Sequence, residues 1–247
     1  MLELPEFEIE RDEDAEATMV EKTIAWLKGE GTKRDPRIHA SDLLDPRKAY
    51  WNRQHEEVMD ARMAGNFMTG KVLHAFFNTL MQGKVGLSIE ETDDGGNWDK
   101  DLGITYSPDF FKNGIPYELK TSRAINEQTI KDLGAYLEQL FIYMAGKRAL
   151  TGRLLVYRIN AADRKKGYGT YPQYRAYEVS WDKKALEKFR KQIKSYRVLL
   201  EKALKTKKPK DIKMLPICRD WKCGAKNCGH YELCKPEGRH GTKRFDK

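Results

Sequence analysis

The sequence predicts an α/β fold: a central mixed β-sheet flanked by helices, with an N-terminal helical lobe and a four-cysteine, metal-bound C-terminal segment. Three observations predict it. Helical spacing of apolar residues dominates the first third of the chain. Runs rich in Ile, Val, Tyr, Phe and Thr follow, with one strongly periodic helix set among them. All four cysteines of the 247 residues fall between 218 and 234.

Taken in order, an acidic arm (1–12) leads into an amphipathic helix from Ala15 to Lys28, with Met19, Val20, Ile24, Ala25 and Leu27 at helical spacing. Ser41 is the expected N-cap of a short turn through Leu44, and Pro46 suits the first position of the next helix. Leu73, Phe76, Phe77 and Leu80 predict a helix over 66–82. Strands are expected over 87–92, 103–112, 115–123, 152–160 and 173–181. Between the third and fourth, 129–149 reads as a helix with Ile130, Leu133, Leu137, Leu140, Phe141 and Met144 on one face. A lysine-laden helix over 182–206 and a Lys/Pro-rich linker, 205–210, deliver the cysteine-bearing tail. The chain thus divides into an arm and helical lobe (1–65), a core (66–204), and a linker and tail (205–247).

Charge narrows the partners. The formal net charge is +9, yet residues 1–16 hold eight acids against Arg11 alone, which leaves +16 on the rest. Such a surface attracts polyanions and makes nucleic acid the leading partner class, with a merely soluble basic protein as the other reading of the charge. The densest basic run is Lys183, Lys184, Lys188, Arg190, Lys191, Lys194 and Arg197, continued by Lys205, Lys207, Lys208 and Lys210; it reads as a phosphate-contacting or a plainly solvated face. Trp51, Trp221 and Tyr231 are candidates to stack on unpaired bases or to pack. Hydrophobic residues at 40% exclude wholesale disorder. No apolar run reaches the roughly 18 residues of a membrane helix, and no signal peptide is present, so no membrane association and a cytoplasmic location are expected.

The segment from Ile104 to Arg123 carries the chemistry. Asn113-Gly114 between two β-rich runs predicts a hairpin with a two-residue type I′ turn. In that register Lys112 faces Ile115, Phe111 faces Pro116, Phe110 faces Tyr117, and Asp109 faces Glu118. Pro116 falls at a non-hydrogen-bonded position, where its missing N–H breaks nothing in the hairpin. Like charges directly opposite destabilise a sheet, so Asp109 across from Glu118 implies a cation between them. Lys120 lies on the same strand face as Glu118. Two carboxylates on a hard dication such as Mg2+ or Mn2+, beside an ammonium, suit phosphodiester hydrolysis; the other reading is an ordinary solvated strand face with a Glu118–Lys120 pair.

These residues resemble a known family. Pro108-Asp109 followed by Glu118-Leu119-Lys120 resembles the PD-(D/E)XK signature of restriction-endonuclease-like nucleases. Gly70-Lys-Val-Leu-His74 is similar to the GxxxH helix motif of the RecB-type branch, and Gln139-Leu-Phe-Ile-Tyr143 to its QxxxY motif. The helical spacing also sets Gly70 one turn before His74, where it would admit close backbone approach, and sets Gln139 and Tyr143 on one face beside the apolar stripe. Ser41-Asp-Leu-Leu-Asp45-Pro-Arg-Lys-Ala-Tyr50-Trp resembles the N-terminal segment of iron–sulfur RecB-type exonucleases, among them the Cas-family exonucleases of CRISPR adaptation and their viral relatives. The resemblance implies a restriction-endonuclease-like core in which His74, Asp109, Glu118 and the Leu119 carbonyl hold metal. It gives Lys120 the role of assisting the attacking water, and Gln139 and Tyr143 that of orienting the water or the strand.

Cys218, Cys223, Cys228 and Cys234 supply four soft ligands within 17 residues, suited to a [4Fe–4S] cluster or to structural Zn2+. The stretch from Cys228 to Cys234 resembles the end of the family's cluster segment. The usual preceding Cys-x-x-Cys is loosened here, and Asp45 stands where the N-terminal cysteine is expected; Cys218 is the candidate replacement, with His230 and His240 as further ones. The expected function is a Mg2+- or Mn2+-dependent DNA nuclease, an exonuclease on ends or single strands, working alone or beside a helicase or a recombination or adaptation partner. The alternatives are an endonuclease of the same superfamily and a non-catalytic, zinc-stapled DNA-binding adaptor.

Overall fold

The computed structural model describes residues 13–29, 36–55, 60–82, 97–124, 126, 128–129, 132–163, 168–218 and 228–234. The acidic arm, the strand expected at 87–92, Ile130, Trp221, Cys223 and His240 lie outside them. Helices α1 (Glu13–Gly29), α2 (Ala40–Leu44), α3 (Pro46–Asn52) and α4 (Ala61–Gln82) come first. Strands β1 (Asn97–Asp99), β2 (Ile104–Tyr106), β3 (Phe110–Lys112) and β4 (Ile115–Ser122) follow, then α5 (Gly134–Lys147), β5 (Thr151–Asp163) and β6 (Tyr168–Ser180). Helices α6 (Lys183–Thr206), α7 (Pro209–Lys213) and α8 (Tyr231–Cys234) close the order.

The expected α/β architecture is present. Four strands form one mixed sheet in the order β3-β4-β5-β6, in which β4 and β5 are parallel and the other pairs antiparallel. A parallel pair needs a crossover, and α5 supplies it. Strand alternation sends Leu154 and Val156 to one face, under Leu140 and Met144 of α5, and sends Leu119 to the other with Phe110, beneath Phe77 of α4. Both faces of β4 are thereby covered. A larger apolar cluster, with Leu43, Tyr50, Ile104, Ile142, Ile193 and Leu200, joins α2, α3 and α6 to β2 and α5. Among the described residues no helix is long and apolar enough to cross a membrane.

Several boundaries moved, each for a local reason. Helix α4 begins five residues before the expected Asn66 because Asp60 caps it, its Oδ1 accepting from Met63 N–H at 2.6 Å. Ser41 lies inside α2 rather than capping it; His39 is the N-cap, and its N–H donates to Asp42 Oδ2 at 2.9 Å. The strand expected over 103–112 is split into β2 and β3 at Ser107-Pro108-Asp109, since Pro108 has no N–H to continue a ladder. Strand β1, which pairs β2, was not expected. Within the expected linker, α6 ends on Lys207 in the left-handed region (φ 53°) and Pro209 opens α7.

The hairpin follows its sequence signal. Asn113 (φ 52°) and Gly114 (φ 74°) make the turn, and Phe110↔Tyr117, Phe111↔Pro116 and Lys112↔Ile115 pair as expected. Strand β5 joins β4 only from Tyr117 onward, so Pro116 interrupts no second ladder. Gly114→Ala should cost about 1–2 kcal/mol of stability in a urea titration, because a Cβ disfavours left-handed backbone.

The lysine-laden helix is not simply a solvated face. Arg190 is only 2% exposed and donates to Asp99 Oδ2 at 2.8 Å, to Asp101 Oδ2 at 2.7 Å and to the Ala145 carbonyl. Lys194 reaches Asp101 Oδ1 at 2.5 Å. Hydrogen bonds from Lys194 and Arg190 hold the Asp101 carboxyl down at about 2. Part of the expected phosphate-binding run therefore fastens the β1–β2 connection to α5 and α6.

Candidate active site

Strand β4 is the axis of the site. Glu118 sits at its centre, paired with Leu154 of β5, and is 1% exposed. Lys120, two residues on, projects from the same face, and its ammonium lies against Glu118 Oε1. Neither carboxylate oxygen receives a well-directed hydrogen bond. Burial pushes the Glu118 carboxyl up to about 8, the charge of Asp109 adds to the rise, and Lys120 opposes it.

Asp109 is placed differently from the expectation. The β3–β4 ladder stops at Phe110–Tyr117, and Asp109 N–H turns to the Tyr117 carbonyl at 3.2 Å, so two residues share one partner and no direct pair with Glu118 forms. Beyond Phe110 the β4 edge would leave the Leu119 N–H without a partner. Asp109 Oδ2 accepts it at 2.6 Å, which fixes the carboxylate at the mouth of the hairpin. Its Oδ1 lies 3.2 Å from Nδ1 of His74, contributed by α4. The carboxylates meet through this side-chain reach rather than through the strand register. Asp109, His74 and Lys120 keep 20%, 31% and 22% of their side chains open to solvent, so a substrate can reach them while Glu118 stays buried.

Helix α5 closes the other side. Gln139 Nε2 donates to Tyr143 Oη at 2.5 Å, the contact that their i, i+4 spacing allows. Tyr143 does not flank the apolar stripe as expected; it is 4% exposed within the core, and burial with the Glu118 charge pushes its phenol well up. Tyr136 was missed by sequence reasoning. Its phenol is raised by burial and lowered by the Lys120 ammonium, so it stands beside that lysine. Its place one turn before Gln139 was the available signal. Among the described residues the close approach expected at Gly70 is absent, since a Cβ there would meet nothing within 4 Å. The Leu119 side chain is buried in the apolar cluster beneath α4.

The tail lies elsewhere. Cys218 follows α7, Cys228 precedes α8 and Cys234 ends it, all three half-buried. His230 is 1% exposed, and its Nε2 lies 2.6 Å from Asn52 Oδ1 at the end of α3. Arg47, 1% exposed on α3, donates to the carbonyls of Lys213 and Leu215, each at 2.9 Å. Asp45 is the N-cap of α3. Trp51 packs edge-on to Tyr50 at 5.1 Å, and Tyr231 is half-buried at the start of α8.

Among the described residues no three His, Cys, Asp or Glu side chains already stand as a ligand set. Two halves adjoin instead, His74 with Asp109 and Glu118 with Lys120. Their donors nevertheless fit a hard dication: a buried carboxylate lacking directed donors, a second carboxylate whose charge it feels, and an imidazole nitrogen.

No family model matches the chain, and no curated protein matches it. A crystal structure of the protein SSO0001 superposes with a TM-score of 0.53 over 90% of this chain and 96% of that one, at 18% identity. At that identity the likeness is one of fold.

Proposed function

We propose that this protein is a divalent-metal-dependent deoxyribonuclease of the PD-(D/E)XK type, RecB-like, that trims DNA from its ends or along single strands. The buried Glu118 carboxylate carries this reading: it has no directed hydrogen-bond donor, shares its site with Asp109, and is pushed up to about 8. The Lys120 ammonium offsets one negative charge there, and with the Asp109 carboxylate beside it a dication would balance the second. His74, Asp109, Glu118 and the Leu119 carbonyl would hold Mg2+ or Mn2+, which supplies Lewis-acid activation of the phosphate and of water. Lys120 neutralises charge that develops on the scissile phosphate and holds the attacking water. Gln139 and Tyr143 fix the floor beneath them. In the tail, Cys218, Cys223, Cys228 and Cys234 would take a [4Fe–4S] cluster or Zn2+, pinning α8 against α3.

The deciding experiment is a time course on end-labelled linear DNA and covalently closed circles with Mg2+, Mn2+ or EDTA. End-shortening of linear DNA, intact circles and block by EDTA are expected. Opened circles would make it an endonuclease. Binding without cleavage in Mn2+ would make it an adaptor.

A pH dependence follows from the same carboxylate. In the metal-free protein Glu118 takes up its proton near 8, against an ordinary value of 4.5. That uptake stabilises the fold fully below 4.5 and is lost as pH rises through about 8. Melting curves without metal should fall over that window. Mn2+ at about 100 times its dissociation constant should restore about 2.7 kcal/mol, or roughly 5–10 °C, at the alkaline end. Glu118→Gln should flatten the slope and abolish the Mn2+ effect.

A further inference from the structure

On the α4 face of the sheet, four aromatic rings from three elements touch one another. Tyr157 of β5 and Tyr174 of β6 are cross-strand partners, their centroids 4.9 Å apart. Phe77 of α4 stands edge-on to both, at 5.2 and 5.7 Å, and to Phe76 at 5.5 Å. Core packing accounts for the inner rings, since Phe77 is 7% exposed and shares a cluster with Leu119, Phe110 and Tyr157. It does not account for the outer ones. Phe76 is 53% exposed and Tyr174 is 61% exposed. Edge-to-face contacts hold the set in place, so these two rings turn fixed faces to solvent.

Their position is specific. Thr121, one residue past Lys120, is the parallel partner of Tyr157, so a single row of residues runs from β4 across Tyr157 to Tyr174. Two strand spacings set Tyr174 roughly 10 Å from β4, on the α4 face from which His74 reaches Asp109, whereas Glu118 and Lys120 alternate to the α5 face. Phe76 lies on α4 against Phe77, on a different side of the helix from His74. Arg123 lies at the same end of β4, reaching Thr69 Oγ1 of α4 at 3.4 Å, and Arg175 adjoins Tyr174.

We infer that Tyr174 and Phe76 form a stacking platform for unpaired bases of the DNA strand that the candidate site cleaves; the inference rests on the nuclease reading. Area favours a nucleic-acid strand over a protein. Two rings offer at most about 250 Å2 each, well short of the ~800 Å2 per partner of a stable protein interface, whereas one ring suffices for one base. The flanking arginines and the net charge of +9 match the phosphates between the bases.

The test is fluorescence anisotropy of the full-length protein in EDTA, where no cleavage is expected. Two probes are used: labelled oligothymidylate about 15 nucleotides long and an abasic strand of equal length, which keeps the phosphates and lacks the bases. The protein should prefer oligothymidylate by about tenfold or more. Tyr174→Ala and Phe76→Ala should each weaken oligothymidylate binding about five- to tenfold and leave the abasic strand unaffected, while Tyr174→Phe binds as the parent does. Equal affinity for the two probes, or unchanged oligothymidylate affinity in both alanine variants, overturns the platform and leaves the nuclease reading standing. Binding of neither probe overturns both. Alanine variants that change only self-association would make the patch a contact between copies, which also overturns the platform. Both side chains are more than half exposed, so melting curves of the variants should match the parent.

Discussion

Lys120→Ala is expected to slow the proposed DNA cleavage by about 10²–10³-fold without unfolding the protein. Its ammonium lies against Glu118 Oε1 and is 22% exposed, open to the side from which a phosphodiester would approach. Removing it takes away the side-chain cation nearest the buried carboxylate. Glu118 can then rise further above 8 and stay protonated at neutral pH, so stability should change little while chemistry is lost. Lys120→Arg should recover only a small part of the rate, because a planar fork does not replace a compact ammonium in this corner. Asp109→Ala should abolish cleavage for a second reason. It removes a carboxylate from the candidate metal site and leaves the Leu119 N–H, now bonded at 2.6 Å, without its acceptor. Single-turnover rates on end-labelled DNA, with circular dichroism melts of each variant, check this. Near-parental cleavage in both variants would sink the site assignment.

The largest stability effect is expected at Arg190→Ala, about 3 kcal/mol or roughly 6–12 °C in melting temperature. The guanidinium is 2% exposed and joins Asp99 on β1, Asp101 in the following turn and the Ala145 carbonyl at the end of α5. Without it the Asp99 side chain, 10% exposed, keeps its burial and loses its cation. Asp101 is half exposed and retains Lys194, which sets the expected loss at the lower end of that for broken buried ion pairs. Lys194→Ala is the control, with an expected cost under about 1 kcal/mol because both partners face water. Acid supplies a second readout. Asp101 sits at about 2 against an ordinary 3.8, so its contribution is complete above 3.8 and lost as pH falls through 2. That loss should be blunted in Arg190→Ala.

The hairpin was legible because Asn113-Gly114 dictates a turn type, and the turn type dictates the register for three pairs. Legibility ended where the ladder did. Proline removed a donor, Asp109 slipped out of the pairing, and a side chain made the contact that the backbone was expected to make. Helix periodicity located α4 and α5 with His74, Gln139 and Tyr143 on them, but not how deep each would sit. Tyr143 is core because β2 packs across α5, with Tyr106 6.4 Å from its ring, a contact between elements distant in sequence. Arg190 looked like one more cation in a basic run. The acids that claim it, Asp99 and Asp101, lie some ninety residues upstream, at the end of a three-residue strand and in the turn after it, too short a stretch to announce itself.

The stitching of α3 to the segment after α7 bears on how the chain emerges during synthesis. Arg47 spends its guanidinium on carbonyls 166 and 168 positions later, and Asn52 meets His230, 178 positions beyond it. At about 5–20 residues per second, a ribosome needs roughly ten to thirty seconds to deliver those acceptors. Throughout that interval an early helix carries a cation whose two carbonyl acceptors after α7 have yet to be made. Helix α3 is therefore among the last elements able to complete its contacts, although it is among the first to be made.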